Sequence, residues 1–288
     1  MSLKKFDKKL LSKDCLHLVQ NFYCNSLDEP DYEKLNQFLK EKALNYNLAN
    51  LSRTTVFCDE AVCVAYYSLS MNAINGQKID VEDKYRLLKS YPAIFLTRFA
   101  VDKHYQKTGI GRAIINDIIY KAHRNESVAA RFLFIDANPK SVSWYLGNPL
   151  FTILYSDLTN RMEQCIESQI IDELNLRLLN GCGVKCDLGD NNQPSSTKKN
   201  CEKLLKAHVD EIYNCILSKV TLLNECNSKI QLTFDGTIPK ISLTNFNIRN
   251  NHDRIRNWLT KKENVLEFDI TIPLYLDMNK HYVALYSK

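Results

Sequence analysis

The sequence predicts an α/β fold, and three observations carry that prediction. Segments with helical periodicity alternate with short apolar runs over roughly the first 160 residues. The apolar pattern Phe95-Leu96-Thr97-Arg98-Phe99-Ala100-Val101-Asp102 leads through a polar connection into Gly109-Ile110-Gly111-Arg112 and an amphipathic helical pattern. A second apolar run, Arg131-Phe132-Leu133-Phe134-Ile135-Asp136-Ala137, has the length and flanks of a buried strand.

In chain order, 33–45 is predicted helical, with Leu35, Phe38, Leu39 and Ala43 on one face. Segments 54–59 and 61–71 read as a hairpin around Asp59-Glu60. Residues 80–88 read as a short helix, 93–102 as the central strand and 131–137 as the next one. Helix 111–123 lies between those two strands, with Ile114, Ile115, Ile118, Ile119 and Ala122 as its apolar stripe. A helical turn at 141–146 and a strand at 153–156 follow.

Beyond this come an amphipathic helix at 161–180, ending at Gly181, and a polar run at 187–200 with Gly189, Pro194 and Ser-Ser-Thr that suits a linker or loop. A long helix over about 198–226 precedes a β-rich end, with strands at 230–234, 238–243, 265–272 and 281–286 and a helix at 253–262. The expected division is an α/β domain at 1–164 and a smaller α+β unit at 165–288.

The chain has 288 residues, enough for a sizeable core, and an ordinary globular composition of 45% hydrophobic and 25% charged residues. Its net charge of +5 suits phosphate-bearing partners but is too mild to argue nucleic-acid binding alone. No apolar span is long enough to cross a bilayer, and the lysine-rich start lacks a signal core, so a cytoplasmic location is expected. Ten cysteines without an export signal suggest reduced thiols. Cys182, Cys186 and Cys201 do not have a standard zinc spacing, and no metal site is expected.

The strand–turn–helix at 95–123 points to a phosphate. A glycine turn leaves backbone N–H groups exposed at a helix start, where the dipole favours negative charge. Two phosphate loops fail on spacing. No Gly-Lys-Ser/Thr is present for a P-loop, and Ile114 stands where a dinucleotide fingerprint needs Gly or Ala. What remains is Gln106-Lys107-Thr108-Gly109-Ile110-Gly111, a Gln-x-x-Gly-x-Gly turn.

Following Arg98-Phe99-Ala100-Val101-Asp102, this turn resembles the pyrophosphate-binding motif of the GNAT family of acyl-CoA-dependent N-acetyltransferases. Asn138, Ser141, Trp144 and Tyr145 are similar in spacing to a second motif of that family. The chain then departs from the pattern: Pro149 stands where the family has Gly, and Phe151 comes one place late. The succession 32–40, 51–59 and 64–70 resembles the acetyltransferase toxins of bacterial toxin–antitoxin pairs, and the resemblance spans about residues 20–160.

The resemblance implies acetyl-CoA as cosubstrate. It places the oxyanion donor and pantetheine contacts at the backbone of Phe99, Ala100 and Val101, and the pyrophosphate at Gln106, Lys107, Thr108, Gly109, Ile110, Gly111 and Arg112. Asn138 and Ser141 fall in its second motif, with Tyr145 as the acid. A phenol with a pKa near 10 keeps its proton at neutral pH and can give it to a departing thiolate. The acceptor is a primary amine. The toxin-like subfamily implies the α-amine of aminoacyl-tRNA, together with an antitoxin and a homodimer as partners.

Each residue also has a structural reading. Tyr145 could pack beside Trp144 with its hydroxyl tied to backbone. Asn138 could cap a helix beginning at Pro139, a reading compatible with a CoA contact. Asp136 could orient the amine or be a satisfied structural carboxylate, and His104 lies in the connecting loop. Arg98, Lys103, Lys107 and Arg112 make either an electrostatic funnel or a solvated basic face. Arg249, Arg254, Arg256, Trp258, Lys261 and Lys262 could grip RNA, or expose charge from a helix that buries its apolar side. The alternatives are acetylation of a small amine or protein lysine, and a non-catalytic binding module.

Overall fold

The computed structural model describes residues 3–24, 32–79, 88–125, 128–182, 221–235, 238–246, 249–261, 264, 270–278 and 280. Contacts divide the chain into two units. The first is Met1–Asp136 with Leu150–Thr152 and Leu274–Lys288; the second is Ala137–Pro149 with Ile153–Pro273.

The first unit is built on a seven-stranded sheet. Its strands are β1 (Asp7–Leu10), β2 (Arg53–Asp59), β3 (Val62–Asn75), β4 (Ser90–Val101), β5 (Phe132–Ala137), β6 (Phe151–Ile153) and β9 (Ile272–Asp277). Their order is β1-β2-β3-β4-β5-β9-β6. The first four pair antiparallel, whereas β4 and β5 run parallel, joined by the crossover helix α4 (Ile110–His123). The expected hairpin is present, turning at Glu60, which takes a left-handed φ of 52°.

Helix α4 buries Ile110, Ile114, Ile115, Ile118 and Ile119, the stripe expected from its periodicity, while Ala122 is only half-buried. The N-terminal helical stretch comprises a single turn, α1 (Leu16–Val19), then α2 (Glu33–Gln37) and α3 (Ala43–Leu48). A π turn over Phe38–Lys42 joins α2 to α3, and Phe38, Leu39, Ala43 and Asn47 are buried along the run. They close over Val19, Phe22, Val56 and Tyr66 in one apolar cluster. Phe22 meets Tyr66 edge-on at 5.4 Å, and the Tyr66 hydroxyl donates to the Leu35 carbonyl at 2.8 Å.

Two strands depart from the periodicity. The polar start of the chain supplies β1, an edge strand mostly exposed to solvent, so no apolar alternation marks it. The strand expected at 153–156 lies instead at Phe151–Ile153, because Tyr155 already opens a long helix. From 146 residues further along the chain, Asp277 forms a two-pronged ion pair with Arg131. Arg131 Nε and Nη2 lie 3.0 and 2.8 Å from the two carboxylate oxygens. Phe132 and Tyr275 meet edge-on at 5.7 Å.

The second unit contains α5 (Pro139–Leu146), α6 (Tyr155–Cys182), α7 (Thr221–Glu225), the hairpin β7–β8 (Lys229–Asp235 and Ile238–Thr244) and α8 (His252–Thr260). Helix α6 runs unbroken through residue 164, where the sequence suggested a division. Glu163 and Glu167, one turn apart on α6, accept the N–H groups of Leu243 and Ile241 at 2.8 and 2.7 Å. These carboxylates satisfy donors on one edge of the hairpin. Residues 80–87, 187–200, 198–220, 265–269 and 281–286, which carried further expected elements, lie outside the described residues. No described helix is long and apolar enough to cross a membrane.

Candidate active site

The site expected in the first unit begins with a break in β4. Ser68 of β3 pairs with Arg98 and Leu69 with Leu96, so Thr97 is an extra residue, a bulge. Its hydroxyl donates to the Ser68 carbonyl at 3.1 Å. On the other side, β4 pairs with β5 only from Ala93 to Leu96. Beyond the bulge, Phe99, Ala100 and Val101 keep β3 as a neighbour but no longer have β5 in register.

Hydrogen-bonded residues alternate along an antiparallel pair. Asp102 N–H donates to the Val64 carbonyl at 2.9 Å, which assigns Ala100 to β3 and turns the backbone of Phe99 and Val101 toward the opposite edge. That edge is where the family resemblance places the oxyanion donor and the pantetheine contacts.

The turn that follows is organised by Asp102, a residue the sequence reading gave no role. It is buried, and its carboxylate accepts from Tyr23 N–H at 3.1 Å, from His104 N–H at 3.0 Å and from His104 Nδ1 at 2.9 Å. An Asp closing a strand before a polar turn is the available sequence signal, because its side chain bonds the backbone two residues on. His104 is thereby engaged with Asp102, although its ring is largely exposed.

Gln106 also acts on the turn itself. Its Nε2 donates to the Cys24 carbonyl at 2.9 Å and the Val101 carbonyl at 3.0 Å. Thr108 Oγ1 donates to the Tyr105 carbonyl at 2.7 Å. The side chains of Gln106 and Thr108 therefore fix the loop, and the groups left for a ligand are mainly backbone.

Those backbone groups are well placed. Lys107 and Gly109 both have positive φ, 60° and 87°, and Gly109 is the residue before α4. The first helical bond runs from Ala113 N–H to the Gly109 carbonyl at 3.1 Å. The N–H groups of Ile110, Gly111 and Arg112 precede it and have no partner within the helix. Residues 106–109 and Arg112 are exposed, and no atom lies within 4 Å of where a Cβ on Gly109 would stand. Glycine is required here by its φ, and the space over the turn is open.

Of the expected basic cluster, Arg98 lies over the Phe38 ring at 5.3 Å and Lys103 over Tyr23 at 4.9 Å. Lys107 and Arg112 remain exposed and make no ion pair among the described residues.

In the second unit, α5 carries the other candidates. Asn138 caps it: its side chain accepts Lys140 N–H at 2.9 Å, and Pro139 takes the first helical position. The Ser141 hydroxyl donates to the Asn138 carbonyl at 3.0 Å. Tyr145 is buried and meets the half-exposed Trp144 edge-on at 4.8 Å. Asp136 is half-buried near the end of β5. Lys262, Cys186 and Cys201 lie outside the described residues; among the described ones no group of His, Cys, Asp and Glu could hold a metal ion.

Residues 16–147 match the model of the Acetyltransferase (GNAT) family. The chain is also similar to solved structures. AtaT complexed with acetyl-methionyl-tRNAfMet is 22% identical, with 49% of this chain and 84% of that one covered and a TM-score of 0.41. AtaTR bound with AcCoA is 21% identical, covering 52% and 87%, with a TM-score of 0.42. The KacTA–DNA complex is 22% identical, covering 49% and 82%, with a TM-score of 0.39.

The family's acyl donor is acetyl-CoA. In the first unit, the first helical amides of α4 have no partner within the helix, the space over Gly109 is open, and β4 has left the register of β5 after Leu96. Over residues 16–147 the chain is similar to the acetyltransferase domains of the GNAT family.

Proposed function

We propose that the protein moves an acetyl group from acetyl-CoA to a primary amine by direct attack. The observation that carries this reading is the bulged β4 and its continuation into the Gly109 turn, which together present backbone donors rather than side-chain nucleophiles. Bound acetyl-CoA supplies the activated acyl group, so no covalent enzyme intermediate is needed. The amides of Ile110, Gly111 and Arg112 hold pyrophosphate, helped by the charge of Lys107 and Arg112. The backbone of Phe99–Val101 orients the thioester and stabilises negative charge on its oxygen.

The amine nitrogen forms the new C–N bond as the C–S bond breaks, and the amine releases its proton to solvent. Tyr145 gives its proton to the departing sulfur and takes one back from solvent, so the thiol leaves neutral and the phenol is restored. Asn138 and Ser141 fix the start of the helix that carries Tyr145. The catalytic chemistry belongs to residues 1–164, with β9 supplying one strand of their sheet, and residues 165–288 otherwise form an α+β unit. Resemblance of 32–40, 51–59 and 64–70 to acetyltransferase toxins supports the α-amine of an aminoacyl-tRNA as the acceptor, and an antitoxin as a protein partner.

The test measures release of the CoA thiol with charged tRNA, then with small amines and lysine peptides. Thiol release that depends on charged tRNA is the expected result. Tyr145→Phe should lower kcat on the order of 10²-fold, the usual contribution of a positioned acid, while acetyl-CoA affinity holds. Binding without turnover on any amine would refute the enzyme reading in favour of a binding module.

A further inference from the structure

Helix α5 is short, and it ends without a left-handed residue. Many helices close on a left-handed residue that satisfies their last carbonyls. Here Gly147 closes α5 with a right-handed φ of −61°, and Asn148 is not left-handed either. The local bonds are Gly147 N–H to the Ser143 carbonyl at 3.0 Å and Asn148 N–H to the Tyr145 carbonyl at 2.9 Å. The Leu146 and Asn148 carbonyls are then met from elsewhere. Arg256 Nη2 donates to them at 3.0 and 3.3 Å, from 110 and 108 residues further along the chain.

Arg256 belongs to α8, which buries Ile255, Trp258 and Leu259. This apolar face anchors the helix, so the guanidinium comes from a fixed base. A cation at a helix C-terminus is also favoured by the dipole. Arg256 is therefore half-buried and committed to α5, neither an RNA grip nor part of a solvated basic face. Arg254, two residues away, is exposed.

We propose that Arg256 is a positioning residue that sets the place of Tyr145, and that holding this helix end is a catalytic purpose of the C-terminal α+β unit. Tyr145 lies immediately before one of the two clamped carbonyls, and its own carbonyl is held by the residue that bears the other. The clamp stands at Gly147-Asn148-Pro149, where the sequence departs from the motif it resembles, and ties that segment to a distant helix. Proton donation depends on placement to within a fraction of an ångström, and a displacement of 1 Å can cost on the order of 10²-fold. The inference rests on Tyr145 as the proton donor.

The experiment compares Arg256→Ala, Arg256→Lys and Arg254→Ala, alone and with Tyr145→Phe, in the full-length chain. Arg256→Ala should lower kcat on the order of 10–100-fold with acetyl-CoA KM within about twofold, and add little to Tyr145→Phe because both act on one proton transfer. Arg256→Lys, which keeps a charged donor but loses the planar fork, should restore part of the rate, and Arg254→Ala should match the unaltered protein.

Hydrogen exchange gives a readout independent of turnover. The amides of Gly147 and Asn148 should exchange faster in Arg256→Ala while those of α4 do not change. Full turnover in Arg256→Ala, or a loss that multiplies with that of Tyr145→Phe, overturns the positioning role but leaves the acyl-transfer reading intact. Absence of turnover in the unaltered protein refutes acyl transfer and this role together. A loss in Arg256→Ala that reappears as slower acetyl-CoA binding at unchanged kcat also refutes it.

Discussion

Substitution at Gly109 separates two demands that one residue meets. Its φ of 87° is in the left-handed region, where an L side chain costs about 1–2 kcal/mol. No protein atom lies within 4 Å of an added Cβ, so strain is the whole expected cost to the unliganded fold. At about 2–4 °C per kcal/mol for a domain of this class, Gly109→Ala should lower Tm by about 2–8 °C. Gly109→Asn should lose less, because Asn tolerates this conformation, and Gly109→Trp about as much as Ala.

Affinity for acetyl-CoA should follow a different order. A side chain at 109 enters the open space over the amides of Ile110, Gly111 and Arg112, so the loss grows with size, from Ala through Asn to Trp. Losing two hydrogen bonds to a charged phosphate, at about 1.5–3 kcal/mol each, weakens binding by at least about 100-fold. The assays are a thermal melt and a calorimetric titration of each variant. A folded Gly109→Trp protein that binds as tightly as the unaltered one refutes the phosphate assignment. Affinity losses that track Tm instead of side-chain size would mean that only strain had been measured.

Other expectations concern the supports of the site. Asp102→Asn places an amide donor against backbone N–H groups of Tyr23 or His104, and should cost about 1–3 kcal/mol in urea unfolding, with weaker acetyl-CoA binding as the turn loosens. Thr54 and Ser68 share a fully buried hydroxyl pair at 2.7 Å behind the β4 bulge. Ser68→Ala should cost about 1–3 kcal/mol, and adding Thr54→Val should recover part of it, since the stranded hydroxyl is then removed; further loss in the double variant would contradict this. Burial pushes the Cys24 thiol from 9.0 up to about 12. Its raised folded pKa gives stability that is present below pH 9.0 and lost as pH rises toward 12, so Cys24→Ser should flatten the alkaline limb of a stability–pH curve.

Residues 93–123 show how far the chain speaks for itself. The isoleucine spacing of α4, the apolar run of β5 and the hairpin of β2 and β3 are local patterns, and local backbone preferences with one buried face suffice to produce them. Gly109 likewise marks its turn, because few residues other than glycine adopt its φ. Asn138 and Pro139 announced the start of α5 by the same local chemistry.

Other features depend on residues far apart in sequence. Strand β1 is polar and became a strand only by pairing with β2. Thr97 has no composition that signals a bulge; the register of β3 against β4 creates it, and the pairing of β4 with β5 ends just before it, at Leu96. Asp102 gathers donors from Tyr23 and His104, and Arg256 reaches carbonyls 108 and 110 residues away. The sequence by itself determined α4, β5, the β2–β3 hairpin and the glycine turn at 109, since periodicity and φ preference act over a few residues. The tertiary structure alone decided which partners the backbone groups find and which distant side chains hold the helix ends, because hydrogen-bond satisfaction is settled only once the whole chain has closed.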